Sequence, residues 1–229
     1  MGIIYNSLAP SDGLVLSLDT ANRRSYPGSG TSWFDLSGNG NNGTLMNGAS
    51  LNTGFGGGMN FDGVDDYVNC GINAIPQGTT PITVSAWANY RNHDGQSALL
   101  SIEPTSGNTF TLSIITLAGL GSFLWTDSVT QNITFSGSFP ALNSWNHWGY
   151  SFNSNGSYKI YLNGSIIQQS SVTLNTASLI GGAVYIGRRV RGAAGNANVV
   201  ADDIRIYNRA LSREEISILF NIKRRRYGL

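Results

Sequence analysis

A chain of 229 residues with 12% charged side chains and a formal net charge of +1 lacks the concentrated cationic face that phosphate binding requires, which argues against nucleic acid as a main partner. No run approaches the roughly 20 apolar residues of a membrane span, and the lone cysteine, Cys70, excludes an intrachain disulfide, so the fold must stand on its core or on a metal. Charge this sparse leaves Asn, Ser, Thr and Gly to cover the surface, which suits contact with other protein or with carbohydrate.

Residues 1–12 read as a short arm ahead of a single domain over 13–221, since one all-β domain of about 200 to 250 residues accommodates this length. The opening residues carry no basic segment followed by a long apolar run, so no cleaved secretion signal is expected. The Asn-x-Ser/Thr triplets at Asn42, Asn132, Asn155 and Asn163 are then turn chemistry. Residues 13–19 form the first strand, with Leu14, Leu16 and Leu18 on one face. The composition of 20–52 shifts to Gly, Asn and Ser and reads as a long loop, either functional or pinned by something other than secondary structure.

Residues 59–70 read as a β-hairpin: Met59 and Phe61 alternate with Asn60 and Asp62, Gly63 permits the turn, and Tyr67 and Val68 continue extended. Asp62, Asp65 and Asp66 are either turn formers or oxygen ligands for a hard cation. Over 82–90, Val84, Ala86 and Ala88 alternate with Ser85, Trp87 and Asn89, the pattern of a half-buried strand. Further strands are expected at 97–102, 109–115, 122–125, 133–135, 146–153, 184–187 and 199–207. Asn163-Gly164 between 158–162 and 165–168 is the strongest hairpin signal, because Asn-Gly suits a type I′ turn.

One helix breaks the pattern. Ser212 and Glu215 have the spacing of a capping box, and Ile216, Leu219 and Phe220 form an apolar stripe at i, i+3, i+4. The basic run Lys223, Arg224, Arg225, Arg226 within residues 222–229 is either a solvated helix end that favours the dipole or a tail that docks an acidic neighbour.

Several blocks, in this order, resemble one family: Gly13-Leu14-Val15 leading to Asp19, Asp35-Leu36-Ser37-Gly38-Asn39-Gly40-Asn41-Asn42-Gly43, Met59-Asn60-Phe61-Asp62-Gly63, Ile82-Thr83-Val84-Ser85-Ala86-Trp87, Trp145-Asn146-His147-Trp148, Tyr185-Ile186-Gly187 and Asp202-Asp203-Ile204-Arg205-Ile206-Tyr207. The chain is similar to the laminin G-like, concanavalin A-like lectin/glucanase family in its bacterial and viral branch. The resemblance implies an all-β, antiparallel two-sheet jelly-roll sandwich with one short C-terminal helix. With its ending Phe220-Asn221-Ile222-Lys223 to Tyr227-Gly228-Leu229, the chain also looks like structural proteins of tailed bacteriophages, which implies a virion location, assembly in multiple copies with other virion proteins, and contact with host surface glycans.

The resemblance also brings the first and last strands together, from which a structural Ca²⁺ is expected at Asp35 and Asn41, with Asp203 and Asp19 contributing. An Asx-turn network without metal accounts for the same residues. For glycans, the candidate stacking rings are Trp33, Trp87, Tyr90 and Trp125. Enzymatic function is not expected. Glycoside hydrolysis needs two carboxylates about 5 to 10 Å apart, and Glu103, Glu214 and Glu215 lack the paired-glutamate strand of the glucanases. His93 and His147 carry no attached Ser or Cys motif, and no Cys/His metal spacing exists. The expected function is a non-enzymatic virion structural or decoration subunit, with a calcium-supported lectin as the competing class.

Overall fold

Apolar-polar alternation over residues 82–90 and 145–152 builds two central strands of the larger of two antiparallel sheets. The computed structural model describes residues 8–71, 81–92, 96–104, 111–117, 123–125, 140–171, 182–189 and 195–229. The strand expected at 133–135, His93 and the first seven residues of the expected arm lie outside them. The strands are β1 (Leu14–Leu18), β2 (Ser32–Trp33), β3 (Gly43–Met46), β4 (Ser50–Asn52), β5 (Gly58–Asp62), β6 (Tyr67–Asn69), β7 (Ile82–Tyr90), β8 (Gln96–Pro104), β9 (Thr111–Leu117), β10 (Phe123–Trp125), β11 (Trp145–Phe152), β12 (Ser157–Leu162), β13 (Ser165–Ser171), β14 (Gly182–Ile186) and β15 (Asn198–Tyr207). Helix α1 (Arg213–Lys223) and a 3-10 turn at Arg224–Tyr227 close the chain.

The larger sheet runs β13-β12-β11-β7-β15-β5-β4, with β1 also on β15; the smaller runs β10-β9-β8-β14-β6-β3-β2. Leu16, Phe61, Val84, Trp148 and Ile204 from the first meet Leu45, Val68, Leu100 and Ile186 from the second in one continuous core. This is the expected jelly-roll sandwich. Each such side chain, fully buried, stabilises by about 1.5–3 kcal/mol.

Residues 59–70 do not form a hairpin. β5 pairs with β15 and β4 in the larger sheet, whereas β6 pairs with β3 and β14 in the smaller one, so Gly63 to Asp66 carries the chain across the sandwich. A period-2 pattern on both sides of a turn is the same for a crossover as for a hairpin, and only the pairing partners tell them apart. The long loop expected over 20–52 contains β2, β3 and β4, each too short for alternation to register. The Asn163-Gly164 hairpin forms as expected, with φ of 50° and 77° at the two turn residues.

β15 organises the larger sheet. One edge pairs with β7; the other pairs first with β5 over Asn198 to Ala201 and then with β1 over Ile204 to Tyr207. At the change of partner the register slips between Asp202 and Arg205, and Asp203 takes a positive φ of 45°. The bulge keeps Val199, Ala201, Ile204 and Ile206 in the core and sends Val200, Asp202, Arg205 and Tyr207 to the outer face.

That outer face is covered by the C-terminal segment. Ser212 caps α1, its hydroxyl accepting from the Glu215 amide while the Glu215 carboxylate accepts from the Ser212 amide. Ile216 and Leu219 pack on Tyr161 and Tyr207. β7 is therefore buried on both faces and not half-buried as its alternation implies.

Candidate functional site

The expected site residues are dispersed. Trp33 is a core ring between the sheets, Tyr90 belongs to the same core, and Trp87 lies under Tyr227 and Phe220 with ring separations of 4.2 and 5.7 Å. None of the three reaches solvent enough to stack on a sugar, so the expectation is corrected: these rings are structural. The side chain of Trp125 lies outside the described residues.

The calcium set fails on ligand supply. Asp35 Oδ1 accepts from the amides of Ser17 and Ser37, and its Oδ2 from the Asn41 amide and the Ser37 hydroxyl, so the carboxylate closes a turn network. Asn41 donates through Nδ2 to the Val15 carbonyl. Asp203 holds Arg205 at 2.7 Å, and Asp19 holds Lys223 at 2.7 Å and Arg226 at 3.3 Å. A carboxylate already neutralised by the chain's own cation offers little to Ca²⁺, and these four residues do not fit the ion. Among the described residues the carboxylates that do gather are Asp62, Asp65 and Asp66, with ligand atoms within 4.8 Å of one another; Asp62 and Asp65 are exposed.

The basic run docks, but inward. Lys223 and Arg226 are the partners of Asp19, and Arg226 also meets Asp202 at 2.7 Å. Burial raises the Asp19 pKa, but hydrogen bonding and charge from Lys223 outweigh it and hold this carboxyl below its usual value. Only Arg224 and Arg225 of the run remain exposed. Cys70 is buried in the core, and desolvation pushes its thiol up to about 12.

His147 and Ser85 stand 2.8 Å apart on the outer face of the larger sheet, a contact that resembles a nucleophile and base. The pair is sealed by Phe220 and Trp87, and His147 Nδ1 has no hydrogen-bond partner among the described residues. With no orienting acid and no route for substrate, it is a structural contact.

An open feature of that face is a cleft of about 300 Å³ at the end of β7, β11 and β15, bounded by Asn52, Phe55, Asn89, Arg91, Asn143 and Trp145. Asn52 Oδ1 accepts from the Gly54 amide at 2.7 Å and starts the turn; Gly56, at φ +83°, then passes so close over Trp145 that a Cβ there would sit 2.5 Å from Nε1. Trp145 Nε1 donates to the Phe55 carbonyl at 3.0 Å. The result is a tethered loop that leaves the Phe55 ring 75% exposed on the rim. On the other wall, Asn143 holds a positive φ of 58° and its amide donates to the Tyr90 carbonyl. Asn89 stands on the outward face of β7 beside Trp87.

Among the described residues, the side-chain amides of Asn89 and Asn143 make no hydrogen bond within the chain. Cleft amides beside an aromatic rim are the donors, acceptors and stacking surface of a small polar ligand site. The sequence held one cue: Phe55 sits in Thr53-Gly54-Phe55-Gly56-Gly57-Gly58, an aromatic with no apolar neighbours to bury it. A second, shallower polar depression of about 270 Å³ is lined by Asn41, Asn42, Thr44 and Asn69.

The sandwich fold agrees with the comparisons. The profile of the concanavalin A-like lectin/glucanases superfamily, laminin G type, matches residues 62–217, well over half of the chain, and the chain belongs to that family. No curated protein is detectably similar in sequence. Among solved structures, domain 4 of the extracellular arabinanase AbnA from Geobacillus stearothermophilus, in complex with arabinotriose, superposes with a TM-score of 0.73 at 17% identity, covering 90% of this chain and 97% of that one. The binding domain of Paraclostridial Mosquitocidal Protein 1 gives 0.68 at 20% identity, over 93% and 52%. Trypanosoma rangeli sialidase gives 0.69 at 20% identity, over 95% of this chain and only 34% of that chain. At such identities the likeness is one of fold. No helix among the described residues is long and apolar enough to cross a membrane.

Proposed function

We propose that the chain is a non-catalytic carbohydrate-recognition module that takes a saccharide in the cleft between Phe55 and Asn143. The observation that carries this is the two cleft amides, Asn89 and Asn143, without partners among the described residues, set against an exposed aromatic ring. The half-buried Asn89 amide costs stability unless hydrogen-bonded, so it is retained where a ligand or water satisfies it, and the exposed Asn143 amide stands free to join it. The arabinotriose bound by the similar arabinanase domain supports a sugar as the ligand class. A binding role is also favoured because the acids nearest the covered sheet face, Asp19 and Asp202, are each ion-paired with a cation from the chain's own end. Release of reducing sugar from a panel of oligosaccharides would overturn the non-catalytic part.

Phe55→Ala and Asn143→Ala should each weaken saccharide binding about tenfold, a loss of one stacking surface or one to two hydrogen bonds, while the melting temperature moves little because both side chains are exposed. Isothermal titration against hits from a glycan array reads this directly. Unchanged affinity in both variants would remove the cleft from the proposal.

The virion subunit expected from the sequence is a second proposal, favoured by Arg224 and Arg225, the cations of the run that face solvent beside a sparsely charged surface. Co-sedimentation with assembled phage particles tests it, and a protein that never enters the particle fraction would refute it.

A further inference from the structure

We infer that the cleft selects a terminal sugar bearing a carboxylate, and that Arg91 is the residue that reads it. The inference rests on the carbohydrate-recognition reading above and specifies its substrate class. Among the described residues, Arg91 is the only charged one in the cleft wall. It is half-buried at the end of β7, where its amide donates to the Asn198 carbonyl at 3.0 Å and its Nη1 donates to the neutral Asn198 Oδ1 at 3.2 Å. That contact fixes the guanidinium and leaves the remaining donors unclaimed: no carboxylate pairs with Arg91 among the described residues. In the same chain Arg205, Arg209 and Arg226 each hold an acidic partner. An arginine held in place beside an open cleft and without a counter-charge among the described residues suits a carboxylate by chemistry, because its planar fork matches two carboxylate oxygens at once.

The charge count favours carboxylate over phosphate. A phosphate monoester carries nearly two negative charges at neutral pH, and its sites gather several cations or a helix N-terminus; among the described residues this cleft has one cation and no helix end. Its volume of about 300 Å³ is at the low end of small-molecule sites, so it accepts the end of a glycan and not the middle of a long one. The sugar ring then lies against Phe55 at the rim, with hydroxyls facing Asn89 and Asn143, and the carboxylate faces Arg91.

The test uses the full chain and matched ligand pairs: methyl glucoside against methyl glucuronide and methyl galactoside against methyl galacturonide, followed by titration calorimetry or ligand-observed NMR at low and high salt. The expected result is that one uronide binds at least tenfold tighter than its neutral partner, that the ratio shrinks as salt rises, and that the methyl ester of the same uronide loses the advantage. Arg91→Gln should bring the uronide-to-neutral ratio to about one. The ester arm requires no variant, so the idea stays testable if Arg91→Gln fails to fold. Equal affinity for acid and neutral sugar, an undiminished ratio with the ester or in Arg91→Gln, or tighter binding of a sulfated sugar than of the uronide would each overturn the role given to Arg91 while leaving carbohydrate recognition intact. Failure of every saccharide, neutral or acidic, to bind would instead overturn the recognition proposal itself.

Discussion

Arg226→Ala should cost about 3–5 kcal/mol of stability, a fall in melting temperature on the order of 10 °C, even though it changes a residue within four positions of the chain end. The magnitude follows from what Arg226 neutralises. Asp202 is fully buried under the C-terminal segment, where its carboxylate accepts from the Thr20 amide, the Tyr227 hydroxyl and Arg226, each at 2.7 Å. Desolvation raises the Asp202 pKa even against the pull of Arg226. Without the guanidinium this carboxylate must protonate, or the segment must lift and carry Tyr227 off its ring contacts, stacked with Trp87 at 4.2 Å and tilted against Trp145 at 4.6 Å. Removing one partner of a buried pair is much worse than removing both. The double variant Asp202→Asn with Arg226→Met should therefore recover most of the loss, as a double-mutant cycle in urea would register. Arg224→Ala and Arg225→Ala, on the solvent side, should each change stability by less than about 0.5 kcal/mol. Equal effects from Arg224 and Arg226 would show that the docking contributes nothing.

The same segment explains why the sandwich was legible in the sequence while the site was not. The core strands β7, β11 and β15 were readable because Val84, Trp148 and Ile206 recur with period 2, and the helix because Ser212 and Glu215 have cap spacing. Those signals are local. Local alternation places Trp87 on a polar face, whereas what covers that face is Tyr227, 140 positions along the chain. The basic run gave the same difficulty: its composition announces docking, yet whether the acid is another protein or the chain's own Asp19 and Asp202 depends on tertiary placement. The Asp62 to Asp66 turn was read as a hairpin because pairing partners are not encoded within twelve residues. The cleft was missed for a further reason. Asn89, Arg91 and Asn143 belong to no motif, and they become a site only when β7 and the loop ahead of β11 are brought together over the floor made by Trp145.

His147 should make the fold acid-sensitive well above the range where carboxylates titrate. It is fully buried, desolvation and the nearby Arg205 charge lower its pKa to about 3, and its surroundings are the Ser85 hydroxyl, the Trp87 and Phe220 rings and the Arg205–Asp203 pair. In the unfolded chain the imidazole returns to its ordinary value near 6.5. Between those two values the unfolded state binds a proton that the native state refuses, so stability falls as pH drops from about 6.5 towards 3, by about 1.4 kcal/mol per unit once well below 6.5. By pH 4 the loss from this one residue is about 3 kcal/mol, before the depressed Asp19 carboxyl begins to lose its own contribution below its unfolded value. Urea denaturation across pH 4 to 7 should thus show about one more proton taken up on unfolding in the parent than in His147→Gln, where a neutral amide can still meet the Ser85 hydroxyl and the raised Asp202 carboxyl contributes equally. Far-ultraviolet dichroism would establish that the variant keeps the sandwich at neutral pH. A variant whose stability falls with acid as steeply as the parent would move the sensitivity to other groups and leave His147 a packing residue only.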